Sequence, residues 1–119
     1  MRAELKHLQS NDYLRWEDFV AAPRPEPWNG SGWFSVEIGS EGDKGSELFQ
    51  VFVVTPAAAS SAKPDRGEFR HLTVETFEPE VIASTLREHI ASISSRSWEE
   101  IRERLRQSMW WEHEDINVA

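Results

Sequence analysis

The sequence predicts an α+β fold, in which an antiparallel sheet of about four strands carries two C-terminal helices packed on one face. Three observations support this prediction. Much of the first part of the chain alternates apolar and polar residues with the period of a strand, and a glycine-rich turn joins two such stretches. After Pro79 the apolar residues adopt helical spacing. Strands followed by helices are typical of a sheet with helices on one face.

The size and composition of the chain restrict its class. Its 119 residues predict a single domain over residues 1–119, because domains commonly contain about 100–150 residues. Cysteine is absent, which excludes disulfides and thiolate chemistry and fits a reducing compartment. The opening MRAELKHLQSND lacks the apolar region of a signal peptide, and no apolar run reaches the roughly 20 residues of a membrane helix. We therefore expect a cytoplasmic protein.

The charge balance restricts the partners. The chain has 21 acidic and 13 basic residues, so its net charge of −8 repels polyanions and attracts cationic partners. We therefore expect neither nucleic acid nor a membrane as a partner. An acidic surface also serves solubility alone. The six tryptophans are compatible with a core and with interface anchors.

The N-terminal part contains one predicted strand and one long loop. Residues 2–8 alternate, with Ala3, Leu5 and His7 on one side of a half-buried strand. Residues 22–30, APRPEPWNG, contain three prolines and an Asn-Gly pair, which disfavour regular structure. This stretch is the middle of a long loop predicted over residues 10–32, and a loop this long inside a compact domain is often functional.

The clearest structural prediction is a β-hairpin. Residues 33–39, WFSVEIG, alternate apolar and polar side chains, and residues 47–56, ELFQVFVVTP, form an almost wholly apolar strand that ends at a proline. The glycine-rich residues 40–46 join the two. The second strand is apolar on both faces for part of its length, so we expect it in the centre of the sheet. Residues 68–77, EFRHLTVETF, predict a further strand.

Two helices are predicted to follow. Pro79 suits the first turn of a helix, and the apolar residues after it have helical spacing. Ser97 and Glu100 have the spacing of a capping box, in which each side chain binds a backbone N–H group of the other residue. The apolar positions are Val81, Ile82, Leu86, Ile90 and Ile93 in the first helix, and Trp98, Ile101, Leu105 and Met109 in the second.

No arrangement of residues in the sequence predicts catalysis. The four histidines are scattered without a metal-ligand spacing, and no serine lies in a G-x-S-x-G motif. The stretch GSEGDKGSE contains glycines, but it joins two strands, which is not the setting of a phosphate-binding loop. We therefore predict no catalytic residue, no cofactor and no bound metal, and we do not expect an enzyme. The histidines are His7, His71, His89 and His113.

The chain ends on SMWWEHEDINVA, where two tryptophans stand beside an acidic cluster. Three interpretations are open, namely a structural plug, a metal site at His113, and a surface for a partner. Adjacent residues of a strand point to opposite faces, so His113 and its two acidic neighbours are poorly placed to share one metal.

The order of these motifs resembles the immunity protein 8 family of bacterial polymorphic toxin and contact-dependent growth inhibition systems. The resemblance rests on the opening AELKHLQSND, the hairpin, RHLTVETF, and SWEEIRERL with the tail WWEHED, and it covers most of the chain. The tail departs from the family pattern at Ile116, where an aromatic residue is common, and residues 21–30 are particular to this sequence. The positions that match the family are Gly39, Gly42, Gly45, Glu47, Phe49, Thr55, Pro56, Ser97, Trp98, Glu100, Trp111, Glu114 and Asp115.

The resemblance implies a cytoplasmic immunity protein that neutralises a bacterial toxin domain encoded nearby by tight, non-catalytic binding. The partner implied is the C-terminal domain of a toxin. An acidic inhibitor suits a nuclease, whose active site gathers basic residues to hold phosphate. We expect a dissociation constant of roughly nanomolar or tighter. The alternatives are an acidic adaptor or secretion chaperone, and a small enzyme with a carboxylate-lined cleft. Oligomeric state stays open.

A surface for a basic toxin needs carboxylates around one or two aromatic anchors. Trp111 matches the family tail, so we expect it to close the core and expect Trp110 to be the better anchor. Alternatively, both tryptophans pack inside. Glu114 and Asp115 also match the family, which is compatible with a structural salt bridge. The candidate partner-binding residues are Asp12, Tyr13, Trp16, Glu17, Asp18 and Trp28 in the loop region, and Trp110, Glu112, Glu114 and Asp115 in the tail.

Overall fold

A computed structural model describes residues 1–61 and 70–114, which form one sheet and three helices. This arrangement confirms the α+β class. In the described part, no helix has both the length and the apolar composition needed to cross a membrane. The strands are β1 (Ala3–Ser10), β2 (Ser31–Ser40), β3 (Glu47–Val54), β4 (Leu72–Thr73) and β5 (Trp110–Trp111), and the helices are α1 (Trp16–Ala21), α2 (Pro79–Ala91) and α3 (Trp98–Leu105).

The two edges of the sheet differ. Strands β1, β2 and β3 are neighbours in chain order and run antiparallel. Two short strands share the far side of β3, because β4 pairs in parallel with Val53 and Val54, and β5 pairs antiparallel with Phe49 and Gln50. The sheet is therefore mixed at that edge, and β3 lies in its centre as predicted. The other edge is formed by β1.

The predicted hairpin is confirmed, and its turn explains two of the glycines. Strands β2 and β3 pair antiparallel along nearly their whole length. Gly42 has a φ of 87°, a left-handed conformation that residues with side chains rarely adopt. A side chain at Gly39 would place its Cβ atom 2.1 Å from the carbonyl oxygen of Gly45. Both positions therefore require glycine.

Strand β1 forms as predicted, but the predicted orientation of His7 is wrong. The register with β2 shifts between Leu5 and His7, so Lys6 is an extra residue in a bulge. A bulge inserts one residue and thereby changes which later side chains face the core. Leu8 consequently packs against the core and His7 is exposed, contrary to the prediction that His7 shares a side with Ala3 and Leu5.

The main hydrophobic core brings together the sheet and the helices. Apolar side chains from β1, β2 and β3 cluster there with those of α2, α3 and Phe19 of α1. A second, smaller cluster contains Phe52, Val54, Ala58 and Trp110. The end of β3 is therefore buried on both faces, as its composition predicts. The largest fully buried side chains are Phe34, Phe49, Ile38, Ile82, Leu86, Ile90, Ile101, Leu105 and Met109.

Helices α2 and α3 begin where the sequence predicts. Pro79 is the first residue of α2, where its missing N–H group costs no helical hydrogen bond. The Ser97 hydroxyl accepts a hydrogen bond from the Glu100 N–H group at 3.3 Å and caps α3. The Glu100 carboxylate accepts instead from the Ser95 hydroxyl. Only the first half of the predicted capping box therefore forms.

The structure adds helix α1, which the sequence did not predict. Its six residues lie directly before the proline-rich stretch, and residues 22–30 have no regular structure, as predicted. A helix this short shows too few apolar residues for a helical period to be recognised. Tertiary contacts, and not a local pattern, fix this helix.

The strand predicted over residues 68–77 is much shorter in the structure. It forms only at Leu72–Thr73, and residues 68–69 lie outside the described part. The Val74 N–H group donates to the Val54 carbonyl oxygen at 3.0 Å, and beyond that point the chain leaves β3. Apolar and polar residues alternate in this part of the sequence as a strand requires, but only Leu72–Thr73 lies beside a strand with which it can pair.

Candidate partner-binding surface

Helix α1 is attached to the core through one aromatic side chain. Phe19 is 4% exposed, and its ring centroid lies 5.5 Å from that of Phe34 and 6.0 Å from that of Phe77. Tyr13 and Trp16 pack on Phe19 from the loop side, at 5.6 and 5.2 Å. Aromatic pairs at these distances contribute about 0.5–1.5 kcal/mol each beyond area burial. The cluster fixes the position of α1 on the sheet.

Arg24 satisfies the C-terminal end of α1. Its guanidinium donates to the carbonyl oxygens of Phe19 at 2.7 Å and of Val20 at 2.9 Å. The guanidinium carbon also lies 5.3 Å from the centre of the Phe19 ring. The Phe19 carbonyl oxygen also accepts from the Ala22 N–H group at 3.2 Å, and the Val20 carbonyl oxygen lies in the last turn, where carbonyl groups lack partners within the helix. A single arginine therefore connects the helix to the proline-rich stretch.

The proline-rich stretch is held at its far end by backbone hydrogen bonds. The Thr55 N–H group donates to the Gly30 carbonyl oxygen at 3.0 Å, and the Thr55 hydroxyl accepts from the Gly30 N–H group at the same distance. The Phe77 N–H group donates to the Pro27 carbonyl oxygen at 2.6 Å. The segment is irregular, yet its backbone is hydrogen-bonded to Thr55, directly after β3, and to Phe77, in the loop before α2.

The exposed apolar side chains concentrate in this segment. In residues 1–61 and 70–114, five large hydrophobic side chains are exposed, and all except Met1 lie between residues 13 and 28. Leu14 is 90% exposed and Trp28 is 57% exposed, whereas most surface apolar residues elsewhere are at least half-buried. Such a concentration is typical of an interaction site. The four residues are Tyr13, Leu14, Val20 and Trp28.

Carboxylates occur along the same segment as these apolar side chains. Asp12 and Glu17 are exposed, as is Glu26 in the proline-rich stretch. Asp18 is half-exposed and forms an ion pair with Arg15 at 3.4 Å. The structure therefore brings the six predicted residues of the loop region into one anchored segment. We call residues 12–28 the loop surface.

The loop surface contains residues that sequence reasoning did not include, namely Leu14, Val20 and Glu26. Leu14 precedes the helix and Val20 lies on its outer side, so both are apolar residues turned away from the core. Nothing in their local spacing distinguishes them from core residues. The structure shows that Phe19 is the residue of α1 that packs in the core, and Val20 is consequently left at the surface.

In the tail, Trp110 is buried, which contradicts its expected role as the better anchor and agrees with the alternative that both tryptophans pack inside. Trp110 is 6% exposed, and its ring centroid lies 5.1 Å from that of Trp33. The Arg70 guanidinium carbon lies 5.2 Å from the centre of the Trp110 ring. Strand β5 directs this side chain into the second cluster on the far face of β3, which the sequence could not show. Trp110 is therefore not available as an exposed anchor.

Trp111 closes the main core, as expected. It is half-buried, packs against the core cluster and pairs with Phe49 across β5 and β3. Two guanidinium groups cover its ring, with that of Arg102 at 4.3 Å and that of Arg106 at 5.9 Å from the ring centre. Cation–π contacts of this kind stabilise by about 0.5–2 kcal/mol. The two adjacent tryptophans thus serve opposite faces of the sheet.

Glu114 has a structural role in the tail. Its carboxylate is 13% exposed and accepts hydrogen bonds from Arg70, from Arg106 at 3.1 Å and from the Trp111 N–H group at 3.3 Å. Burial by itself raises the pKa of this carboxyl, but the hydrogen bonds from Arg70, Arg106 and Trp111 and the charge of Arg70 outweigh it, so the pKa is lowered overall. Asp115 lies outside the described residues.

Glu112 is the tail carboxylate that stays at the surface. Its side chain is exposed, while its N–H group donates to the Leu48 carbonyl oxygen at 3.0 Å. One carboxylate oxygen lies 3.4 Å from Nε2 of His113. Within the described residues, no three His, Asp or Glu side chains converge to form a metal site.

His89 lies partly buried at the end of α2. Its Nε2 atom lies 3.0 Å from the Ser108 hydroxyl oxygen, which joins the end of α2 to the turn after α3. Burial lowers the pKa of His89 below its ordinary value. Among the described residues, no carboxylate forms a hydrogen bond with this imidazole, so the pair lacks the orienting group of a catalytic triad.

Comparison with known proteins assigns the family. No curated protein and no solved structure matches the chain. A family model described as Immunity protein 8 matches residues 3–116, nearly the whole chain. This family implies an immunity protein whose partner is a toxin protein, and it suggests an inhibitory rather than an enzymatic role. The chain therefore belongs to the immunity protein 8 family.

Proposed function

We propose that this protein neutralises the C-terminal domain of a cognate toxin in the cytoplasm by tight, non-catalytic binding, and that the loop surface makes the contact. The observation that carries the proposal is the concentration of exposed Tyr13, Leu14, Val20 and Trp28 in one anchored segment. Binding energy in protein interfaces is concentrated in a few such side chains, with tryptophan and tyrosine enriched among them.

The attachment of the loop surface to the core supports tight binding. Phe19 and Arg24 hold α1, and Thr55 holds the end of the proline-rich stretch. A surface that is already ordered loses less conformational entropy when a partner binds. The same contacts therefore serve both the fold and the affinity.

The charge of the protein supports a basic toxin, and we propose a nuclease. The net charge is −8, and Asp12 and Glu17 place carboxylates beside the exposed apolar side chains. A nuclease gathers lysine and arginine to hold phosphate, so its surface complements this field. Electrostatic complementarity accelerates association and disfavours wrong partners.

Protection in cells tests the proposal. The toxin domain encoded by the adjacent gene is co-expressed with the wild-type protein or with variants, and growth is measured. The wild type should restore growth, and a double variant with Glu17→Lys and Trp28→Ala should not. Glu99→Lys is the matched control, because Glu99 is also an exposed glutamate in the first turn of a helix.

The outcomes separate the alternatives. Loss of protection in the double variant, with protection retained by Glu99→Lys, supports the loop surface. Full protection by the double variant assigns the contact to another surface. Absence of protection by the wild type contradicts an immunity function against that toxin and favours the acidic adaptor.

A further inference from the structure

The edge of the sheet formed by β1 has a structural feature that the loop surface does not explain. We propose that an extended segment of the toxin pairs with the outer edge of β1 as an additional strand, and that Arg87 binds a carboxylate on that segment. The inference rests on the proposed function, because it identifies how the same partner binds.

The chain itself shows that this edge accepts a strand. The Ala3 N–H group donates to the Ile93 carbonyl oxygen at 2.9 Å, and the Ser95 N–H group donates to the Met1 carbonyl oxygen at 3.0 Å. These bonds form an isolated antiparallel bridge between Arg2 and Ser94. The pairing stops there, while β1 continues to Ser10. Beyond the bridge, β1 has no further backbone partner on this edge among the described residues, and its last residue, Ser10, is buried.

Two amide groups beyond the bridge face outward. Successive N–H groups of a strand point to alternate sides, so the outward Ala3 N–H group places that of Leu5 outward too. At the other end the Asn11 N–H group donates inward to Trp33 at 3.0 Å, which places the Leu8 N–H group outward. Among the described residues, neither outward amide has a backbone partner on that side.

A groove beside this edge can take the side chains of an added strand. Its first part has a volume of 250 Å³ and lies between Leu5 and Leu8 of β1, Trp16, Ala83 and Arg87. It continues into a larger groove of 810 Å³ between α1 and the first half of α2, and both parts share Trp16, Ala83 and Arg87. An apolar side chain from the partner would pack on Trp16 and Ala83. The groove also adjoins the loop surface through Trp16.

Arg87 determines the chemistry of the occupant. It is exposed, lies where the two parts of the groove meet, and forms no ion pair within the described part of the chain. A carboxylate on the partner strand would complement it. A second copy of the chain is the alternative occupant of this edge, and hydrogen exchange in a concentrated sample without toxin distinguishes it from a toxin strand.

Amide hydrogen exchange with and without the toxin domain tests the pairing. The amides of Leu5 and Leu8 should exchange about tenfold more slowly, or slower still, in the complex. The Gln9 amide is the internal control, because it points inward to β2 and is already protected in the free protein. Arg87→Glu should weaken toxin binding about tenfold or more. Arg96→Glu, an equal charge change at an exposed arginine outside the groove, should weaken binding by less than about threefold.

Failure of the inference is distinguishable from failure of the proposed function. If the toxin binds tightly but the Leu5 and Leu8 amides exchange as in the free protein, the pairing is overturned and the neutralising function stands. Equal losses for Arg87→Glu and Arg96→Glu overturn the role of Arg87. Slow exchange of both amides in a concentrated sample without toxin shows self-pairing and overturns the toxin strand. If the wild-type protein does not bind the toxin, both proposals fall.

Discussion

Glu114 fixes the tail because one carboxylate meets three donors. Arg70, Arg106 and the Trp111 N–H group all donate to the same oxygen of this carboxylate. The same arginines cover the rings of Trp110 and Trp111. Of the tail residues that match the family pattern, Trp111 and Glu114 therefore stabilise the fold. The residues proposed to bind the toxin lie elsewhere, between residues 12 and 28.

Replacing Glu114 with glutamine is expected to destabilise the protein by about 2–4 kcal/mol. The change removes the carboxylate charge that Arg70 and Arg106 share in a largely buried site, and breaking a buried pair costs more than the pair contributes. Glu103→Gln is the matched control, because Glu103 also pairs with Arg106 but is 63% exposed. Its cost should be at most about 1 kcal/mol. Urea unfolding measures both values, and equal costs would contradict the structural role of Glu114.

The stability of the protein is expected to fall as the pH falls. The pKa of His89 is lowered from 6.5 by burial, so the folded chain binds fewer protons there than the unfolded chain. Its contribution to the free energy of unfolding is therefore complete above pH 6.5 and is lost as the pH falls through the folded pKa. The lowered pKa of Glu114 acts in the same direction below pH 4.5.

Unfolding curves across this pH range measure the effect. The wild type should lose stability relative to His89→Gln as the pH falls below 6.5, because the variant lacks the titrating imidazole. Above pH 6.5 the difference between the two proteins should be constant. A wild type that gains stability relative to the variant below pH 6.5 would contradict the burial of a neutral imidazole.

At the scale of elements, local patterns predicted the parts of the fold that are fixed locally. The hairpin of β2 and β3, Pro79 at the start of α2 and the Ser97 cap of α3 all follow from neighbouring residues. Contacts distant in sequence decided the rest. The bulge at Lys6, the shortening of β4 and the burial of Trp110 each depend on a partner strand or cluster that no local pattern reveals.

The same division applies to the candidate site. Acidic and aromatic composition identified the loop surface, but the sequence could not separate Trp28, which is exposed, from Trp110, which is not. Helix α1 is the reason that the loop surface is ordered. Its one buried residue, Phe19, contacts rings from β2 and from the loop before α2, and these lie far apart in the chain.

Replacing Phe19 with alanine is therefore expected to weaken toxin binding about tenfold or more, although the side chain is buried, because the loop surface loses its order. The substitution should also cost about 3–5 kcal/mol of stability. Ile90→Ala, a core change in the second half of α2, should cost about 2–5 kcal/mol and leave the affinity of the folded protein unchanged. Calorimetric titration measures the affinities. An unchanged affinity for Phe19→Ala would contradict the role of α1.

In the whole molecule, the sheet edge that the tail covers and the surface proposed to bind the toxin are in different places. One edge of the sheet is closed by β4 and β5, and the arginines around the tail hold that closure. The other edge, at β1, lies beside α1 and the start of α2. Helix α1, in the segment with the exposed apolar side chains, therefore lies beside β1. The net charge of −8 attracts a basic partner to the protein as a whole.

We propose that this protein binds a toxin domain tightly through an acidic and aromatic surface. The test is calorimetric titration with the toxin domain encoded by the adjacent gene, at low and at high salt. We predict a dissociation constant of roughly nanomolar or tighter that weakens as salt rises. Tight binding that is indifferent to salt would assign the energy to apolar contacts such as Trp28. No binding at either salt concentration would contradict the claim.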